Sequence, residues 1–97
     1  MTIQSFGNSL TEKIFLGVRD KEVAKFPPTK LKIAERKLDM IEAAAVLKDL
    51  AQPPGNKLHA LKSDLQGLHA ISINDQWRIV FKWESDGSHQ VEIRDYH

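Results

Sequence analysis

The spacing of apolar residues in the first half of the chain is helical. Leu10, Ile14 and Val18 lie four residues apart, which predicts one amphipathic helix. Ser9 and Glu12 have the spacing of a capping box at its start. Glycine lowers helix stability by about 1 kcal/mol relative to alanine, so the helix is expected to end or bend at position 17.

A second, longer helix is predicted after the proline pair at positions 27 and 28, because proline is tolerated in a first helical turn. The segment at positions 52–56, with two prolines and a glycine, must end it. The alanine-rich segment at 43–48 leaves open whether the helix extends to position 50. The apolar stripe of this second helix consists of Leu31, Ala34, Leu38, Ile41 and Ala45.

From position 57 the apolar period changes to two, which predicts strands. Short strands are expected at residues 3–6 and 58–61, and three consecutive strands at 69–73, 76–84 and 90–96. Asn74 and Asp75 suit a two-residue turn because both tolerate positive φ. Asp86 and Gly87 mark the next turn.

The register of these strands predicts which face is buried. The first turn sets Ser72 opposite Trp77 and Ile71 opposite Arg78. For Val91 and Ile93 to join the buried face, residues 86–88 must form a three-residue loop with a bulge, since a two-residue turn would bury Glu92 and Arg94. Tyr96 then stands opposite Arg78 on the open face. The face beneath the helices carries Trp77, Ile79, Phe81 and Trp83.

Composition describes an ordinary single domain over residues 1–97, with 41% apolar and 28% charged residues. No secretory signal or membrane-spanning run is visible, so a cytoplasmic protein without a membrane partner is expected. The chain has no cysteine and its four histidines lack ligand spacing, so no metal or other cofactor is expected.

The net charge of +1 is too small for a general nucleic-acid binder, so any RNA contact must depend on local charge. One short segment is basic and is a candidate surface for ribosomal RNA, with an acidic protein partner as the alternative. It contains Lys30, Lys32, Arg36 and Lys37.

Several polar residues of the second half suit RNA cleavage by the RNA's own 2′-hydroxyl. That reaction needs a base, an acid and a cation against the charge on phosphorus. Each candidate also has an ordinary role, such as an exposed ion pair for Arg78 or packing on Trp77 for Tyr96. The candidates are His59, Lys62, Arg78, Asp95, Tyr96 and His97.

Three segments containing these residues resemble the HigB branch of the RelE/ParE toxin superfamily. Residues 58–64 read LHALKSD, residues 71–81 read ISINDQWRIVF, and residues 95–97 read DYH. The family pattern is roughly L-H-P-L-K-G, then S-V-N-x-x-W-R-I, then D-Y-H. Ala60 and Ser63 depart from it, in the loop that orients His59 and Lys62.

The resemblance implies an α+β domain of order β-α-α-β-β-β and a ribosome-dependent mRNA endonuclease. It implies a HigA-like helix-turn-helix antitoxin as partner, a ribosome with bound mRNA as target, and operator DNA contact only through the antitoxin. His59 and Lys62 correspond to the family's base candidate and phosphate-binding lysine, and Arg78 to its phosphate-binding arginine. Tyr96 and His97 are candidates for proton transfer, with acid and base unassigned.

Two other functions share this scaffold. A ParE-like toxin would inhibit gyrase, and its relatives need no RNA-cleaving residues. A toxin-derived binding module would keep the fold with an idle site. The H-x-x-K pair at His59 and Lys62 and the terminal Asp95, Tyr96 and His97 favour the nuclease.

Overall fold

The computed structural model describes residues 2–95, without the side chain of Ser63. Helices α1 (Ser9–Leu16), α2 (Lys21–Ala24) and α3 (Pro28–Ala43) precede four strands. The strands are β1 (His59–Ala60), β2 (His69–Ser72), β3 (Trp77–Glu84) and β4 (Gly87–Asp95), and they form one antiparallel sheet in the order β1-β2-β3-β4. The α+β architecture is confirmed. The predicted opening strand is reduced to two parallel bridges along β4, from Ile3 to Ser88 and from Phe6 to Val91.

Helix α1 begins one residue earlier than the capping-box prediction. Asn8 is the N-cap, and its Oδ1 accepts a hydrogen bond from the Thr11 amide at 2.9 Å. The Ser9 hydroxyl instead donates to Glu22, so the predicted capping box is wrong. Gly17 ends the helix as predicted, at φ 79°. Val18 therefore lies beyond the helix and is 39% exposed.

Helix α2 was not predicted, although its N-cap has a sequence signal. Asp20 accepts a hydrogen bond from the Val23 amide. The Lys13 ammonium contacts Asp20 and Glu22 at 2.7 and 2.9 Å, which lowers the pKa of both carboxyls. These contacts attach the short helix to α1.

Helix α3 begins at Pro28 and ends at Ala43. It therefore does not extend through the alanine-rich segment to position 50. Residue 44 is extended, and a separate 3₁₀ helix follows at Leu47–Ala51. Ala34, Leu38 and Ile41 of the predicted stripe are fully buried. Ala45 is exposed because it lies beyond the helix end.

The turn between β2 and β3 is longer than predicted. The amides of Ile73 and Asn74 both donate to the Trp77 carbonyl, so residues 74–76 form a three-residue loop. Asn74 Oδ1 accepts hydrogen bonds from the amides at 76 and 77, and this side-chain cap stabilises the longer loop. The predicted register was therefore wrong by one residue: Ser72 pairs with Arg78 and Ile71 with Ile79.

The turn between β3 and β4 is shorter than predicted. Glu84 pairs with Gly87, so residues 85 and 86 form a two-residue turn and the expected three-residue loop was wrong. An extra β4 residue opposite Phe81 makes a bulge, with Gln90 at φ 53°. This bulge, and not the turn, restores the alternation. Arg78 consequently pairs with Arg94 and not with Tyr96, whose predicted register was wrong.

The predicted buried residues of β3 and β4 are confirmed. Ile71 of β2, predicted opposite Arg78 on the open face, instead lies in the core opposite Ile79. Ile79, Phe81 and Val91 are fully buried against the helices, and Ile93 is 3% exposed. Trp77 and Trp83 pack against the same core at its two ends. Helices α1 and α3 therefore cover one face of the sheet. The opposite face, called the open face, carries Arg78 and Arg94 together with the buried Ala70 and Val80. Within residues 2–95, no helix is long and apolar enough to cross a membrane.

Candidate active site

The open face of the sheet brings two of the predicted site residues together. His59 pairs with Ala70, Ala70 with Val80, and Val80 with Glu92, so these residues form one row across the four strands. The adjacent row consists of Ser72, Arg78 and Arg94. Strand spacing places the Cα atoms of His59 and Arg78 about 12 Å apart on this face. Both side chains are long enough to approach one ligand between them.

The His59 ring is oriented by a backbone contact. Its Nδ1 lies 2.7 Å from the Lys57 carbonyl oxygen. A carbonyl can only accept, so Nδ1 carries the hydrogen and Nε2 carries the lone pair of the neutral ring. Lys57 has φ 51°, in the left-handed region, at the end of the 3₁₀ helix Pro54–Asn56. The exposed His59 ring therefore presents a proton acceptor to solvent.

Arg94, which was not among the predicted site residues, lies directly opposite the half-buried Arg78. Its Nε and one Nη donate to the Glu92 carboxylate at 3.1 and 3.3 Å. The alternation of residues 91–95 was the available signal, since it places Glu92 and Arg94 on the same face. Their position beside Arg78 depends on the bulge at Gln90, which could not be predicted from the sequence.

The structure separates Asp95 from Arg78. Asp95 pairs with Trp77 and therefore belongs to the helix-covered face, at the end of the sheet. Gln76 Nε2 donates to its carboxylate at 2.9 Å. Tyr96 and His97, both predicted site residues, lie outside the described residues.

Lys62 lies in the connection between β1 and the 3₁₀ helix Ser63–Leu65, with an exposed side chain. Its carbonyl accepts the Leu65 amide at 3.2 Å, which closes the turn that follows β1. Lys62 is thus three residues along the chain from His59, at the β1 edge of the sheet.

The four residues of the predicted basic surface do not lie on one face of α3. Lys32 and Arg36 are exposed and one turn apart on α3, whereas Lys30 is half-buried on another side. Lys37 is only 7% exposed, and its ammonium donates to the Ser72 carbonyl at 2.5 Å. Burial lowers the pKa of Lys37, with a smaller contribution from Arg36. The prediction of Lys37 as a surface contact was therefore wrong, because its stem crosses the core.

The two other histidines have structural contacts. His89 Nε2 lies 2.7 Å from the Asp86 carboxylate, and this contact lowers the pKa of Asp86. The His69 ring stacks on Phe81 with centroids 6.3 Å apart. Among residues 2–95, no three histidine, aspartate or glutamate residues are grouped so as to hold a metal ion.

A family profile described as a RelE-like toxin of the type II toxin–antitoxin system HigB matches residues 4–97. The chain belongs to the HigB-like toxin family. The resemblance inferred from the three sequence segments is thereby confirmed.

Curated relatives of this HigB-like chain match over part of their length. Toxin HigB-1 of Vibrio cholerae is 42% identical over 48 residues, half of each chain. Endoribonuclease HigB of Proteus vulgaris is 37% identical over 41 residues, 42% of this chain and 45% of its own. An uncharacterised Haemophilus influenzae protein is 36% identical over 63 residues, 65% of this chain and 62% of its own. The matched segments thus span 45% to 62% of the length of these relatives.

Solved structures share the fold at low identity. A chain of the YoeB–YefM complex from Staphylococcus aureus aligns with a TM-score of 0.61 and 16% identity, covering 100% of this chain and 99% of the other. YafQ from Escherichia coli aligns with a TM-score of 0.57 and 19% identity, covering 96% and 90%. The HigB-like sheet and helices therefore follow the architecture of RelE-like toxins.

Proposed function

We propose that this HigB-like chain is the toxin of a type II toxin–antitoxin system and cleaves mRNA on the ribosome. The observation that carries the proposal is the placement of His59 and Arg78 on one open sheet face. A proton acceptor and a guanidinium on a common face suit phosphodiester cleavage. The name of the Proteus vulgaris relative, an endoribonuclease, agrees with this chemistry.

The proposed reaction is attack of a 2′-hydroxyl on the adjacent phosphorus. A base removes the 2′ proton, the new oxygen–phosphorus bond closes a 2′,3′-cyclic phosphate, and an acid protonates the departing 5′ oxygen. His59 Nε2 is one candidate for proton transfer, with Tyr96 and His97 as the others. Arg78 holds the phosphate, and Lys62 supplies further positive charge. Asp95, bound to Gln76, lies at the end of β4 on the helix-covered face, and its role in this scheme is to hold that strand end.

Side chains supply the base, the acid and the cation in this scheme, so no step requires a metal ion or cofactor. We therefore propose that cleavage persists when divalent ions are chelated, provided that the magnesium requirement of the ribosome is met separately. A strict requirement for zinc or manganese at the toxin itself would contradict the scheme.

The proposed partners are an antitoxin and the translating ribosome. We propose a HigA-like helix-turn-helix antitoxin, with operator DNA bound only through it, and action in the cytoplasm. The family's description as one half of a toxin–antitoxin system supports the antitoxin. The complex of the Staphylococcus aureus YoeB with YefM is a precedent on the same fold.

Induced expression with an Arg78 series tests the proposal. Wild type should arrest growth and leave new 5′ ends in translated mRNA. Arg78→Ala should relieve the arrest, and Arg78→Lys should lower the cleavage rate by about 10² or more because lysine keeps the charge but loses the fork. Arg19→Ala, on the helical side, is the matched control. Thermal unfolding of each variant separates lost chemistry from lost fold.

The rival functions give different results in the same series. If the wild type inhibits gyrase and leaves mRNA intact, the chain is a ParE-like toxin and not a nuclease. A wild type that neither cuts translated mRNA nor arrests growth would identify an idle binding module.

A further inference from the structure

We propose that Arg94 is a second phosphate-binding residue and forms, with Arg78, a clamp of two guanidinium groups on one RNA phosphate. The inference extends the proposed function and rests on it for the identity of the ligand as RNA. The sequence segments shared with the family point to Arg78, whereas Arg94 emerges from the pairing of β3 with β4.

The first observation is that two cations stand directly opposite each other. Arg78 and Arg94 are Cα partners on adjacent strands, so their Cβ atoms are about 5 Å apart. Like charges at such positions destabilise a sheet. Glu92 offsets part of this repulsion by pairing with Arg94, and both arginine side chains are partly exposed, so an anion from solvent can reach both of them. A phosphate group, with several acceptor oxygens, matches two planar forks.

The second observation is the way Glu92 holds Arg94. The carboxylate accepts from Nε and from one Nη, which is a side-on arrangement. A guanidinium has five N–H donors, and a side-on contact uses two of them. The end of the fork, formed by both Nη groups, then remains oriented away from Glu92. Glu92 thus positions Arg94 without occupying the edge that would receive a phosphate.

The third observation is that the backbone around this pair is fixed from outside the sheet. The Thr11 hydroxyl accepts the Ile93 amide at 2.8 Å, next to Arg94. Gly7 lies so close to Glu92 that a Cβ at position 7 would stand 2.9 Å from the Glu92 Cβ. A side chain held in place before binding loses less freedom when the ligand arrives. The part of β4 that carries Arg94 is therefore held in place before an anion binds.

The alternative is that Arg94 and Glu92 form an ordinary surface ion pair. Such a pair would make no contact with RNA, and its loss would leave the salt dependence of RNA binding unchanged. Binding of RNA as a function of salt concentration distinguishes the two roles, since each phosphate contact releases counterions.

The test uses the full chain and a fully 2′-O-methylated single-stranded RNA, which cannot be cleaved. Fluorescence anisotropy gives the affinity over a range of salt concentrations for wild type, Arg94→Gln, Arg78→Gln and the double variant. Arg19→Gln removes one arginine charge on the helical side and is the matched control. Arg94→Gln and Arg78→Gln should each weaken binding about tenfold and reduce the salt slope by up to about 0.7.

The double variant tests whether one phosphate is shared. If both guanidinium groups bind the same phosphate, the double variant should lose less affinity than the product of the single losses. Losses that multiply would show two independent phosphate contacts and overturn the clamp. Arg94→Gln binding like Arg19→Gln would overturn it as well, as would a wild type without salt-dependent RNA binding.

These outcomes are separable from those of the proposed function. If wild type and Arg94→Gln cut translated mRNA equally well, the nuclease stands and the clamp fails. If Arg94→Gln loses RNA affinity while wild type cuts no mRNA, the clamp stands as a binding site and the nuclease fails. Thermal unfolding of Arg94→Gln should match wild type, because both members of the pair are partly exposed.

Discussion

At the scale of single residues, Lys37 shows how a charged side chain can be misassigned from sequence. It follows Arg36 in a basic segment, yet its ammonium crosses to the Ser72 carbonyl. A long aliphatic stem lets lysine cover apolar surface while its head group finds an acceptor. Helical spacing alone places Lys37 beside Leu38 at the edge of the apolar stripe and does not decide where its head group goes.

Replacement of Lys37 by methionine is expected to change the free energy of unfolding by less than about 3 kcal/mol at neutral pH. The variant removes a costly buried charge but deprives the Ser72 carbonyl of its donor, and these effects oppose each other. Ribosome association should be unaffected, since the head group is turned inward. Denaturant unfolding and ribosome co-sedimentation measure the two quantities.

The pH dependence of this variant checks the burial directly. The folded-state pKa of Lys37 lies below its ordinary value of 10.5. Between the folded pKa and 10.5 the unfolded chain binds more protons, so this group makes wild type more stable as pH rises. Lys37→Met should lack that alkaline rise. An identical pH profile in both proteins would show that the Lys37 ammonium is solvated.

The candidate site was only partly predictable at this scale. The sequence offered His59 and Arg78 as candidates, and alternation placed Arg94 on the open face. The partner of Arg78 could not be derived, because one additional residue in β4 decides it. That residue is Gln90, which has φ 53°. Glutamine rarely adopts the left-handed conformation, so the residue type does not predict it.

At the scale of elements, the number of long strands and the buried residues of β3 and β4 were predictable from periodicity, and the start of α3 from its proline pair. The turns were not. Asn74 was correctly assigned to a turn, but its side-chain contacts with the amides at 76 and 77 select a longer loop. Helix α2 was missed because four residues are too few for a periodic signal, and only its Asp20 cap announces it.

One side-chain contact connects α1 to β4 and can be tested separately. The fully buried Thr11 hydroxyl donates to Asn8 Oδ1 at 2.6 Å and accepts the Ile93 amide. Thr11→Val keeps the shape but leaves that amide without its acceptor, at a cost of about 1–3 kcal/mol in unfolding free energy. Thr11→Ser, which keeps the hydroxyl, is the matched control and should cost less in denaturant unfolding. A larger loss in Thr11→Ser than in Thr11→Val would assign the role of Thr11 to its methyl group.

At the scale of the whole molecule, the two positively charged regions lie on different layers. Arg78 and Arg94 occupy the open sheet face, whereas Lys32 and Arg36 lie on α3, which covers the other face. One RNA phosphate cannot contact both regions. If both meet the ribosome, they contact different parts of it.

Reversing the charge of Lys32 and Arg36 together is expected to weaken ribosome association more at low salt than at high salt. Co-sedimentation over a salt series measures this difference. Reversal of the exposed Lys21 and Lys25 changes the net charge equally and is the control. An equal loss at all salt concentrations would indicate a contact that is not electrostatic.

The contact of Thr2 with Gly87 and Ser88 has a consequence for how the protein is made. The Ser88 amide donates to the Thr2 carbonyl at 2.6 Å, and Gly87 lies against the same carbonyl, where a Cβ would not fit. Translation delivers residues 2–6 before β4, so residues 2–6 can pair with β4 only after that strand has been synthesised. Arg94 reaches its place opposite Arg78 only when β4 docks. A chain in which β4 is still being synthesised lacks Arg94 opposite Arg78, so the proposed clamp cannot form before β4 is complete.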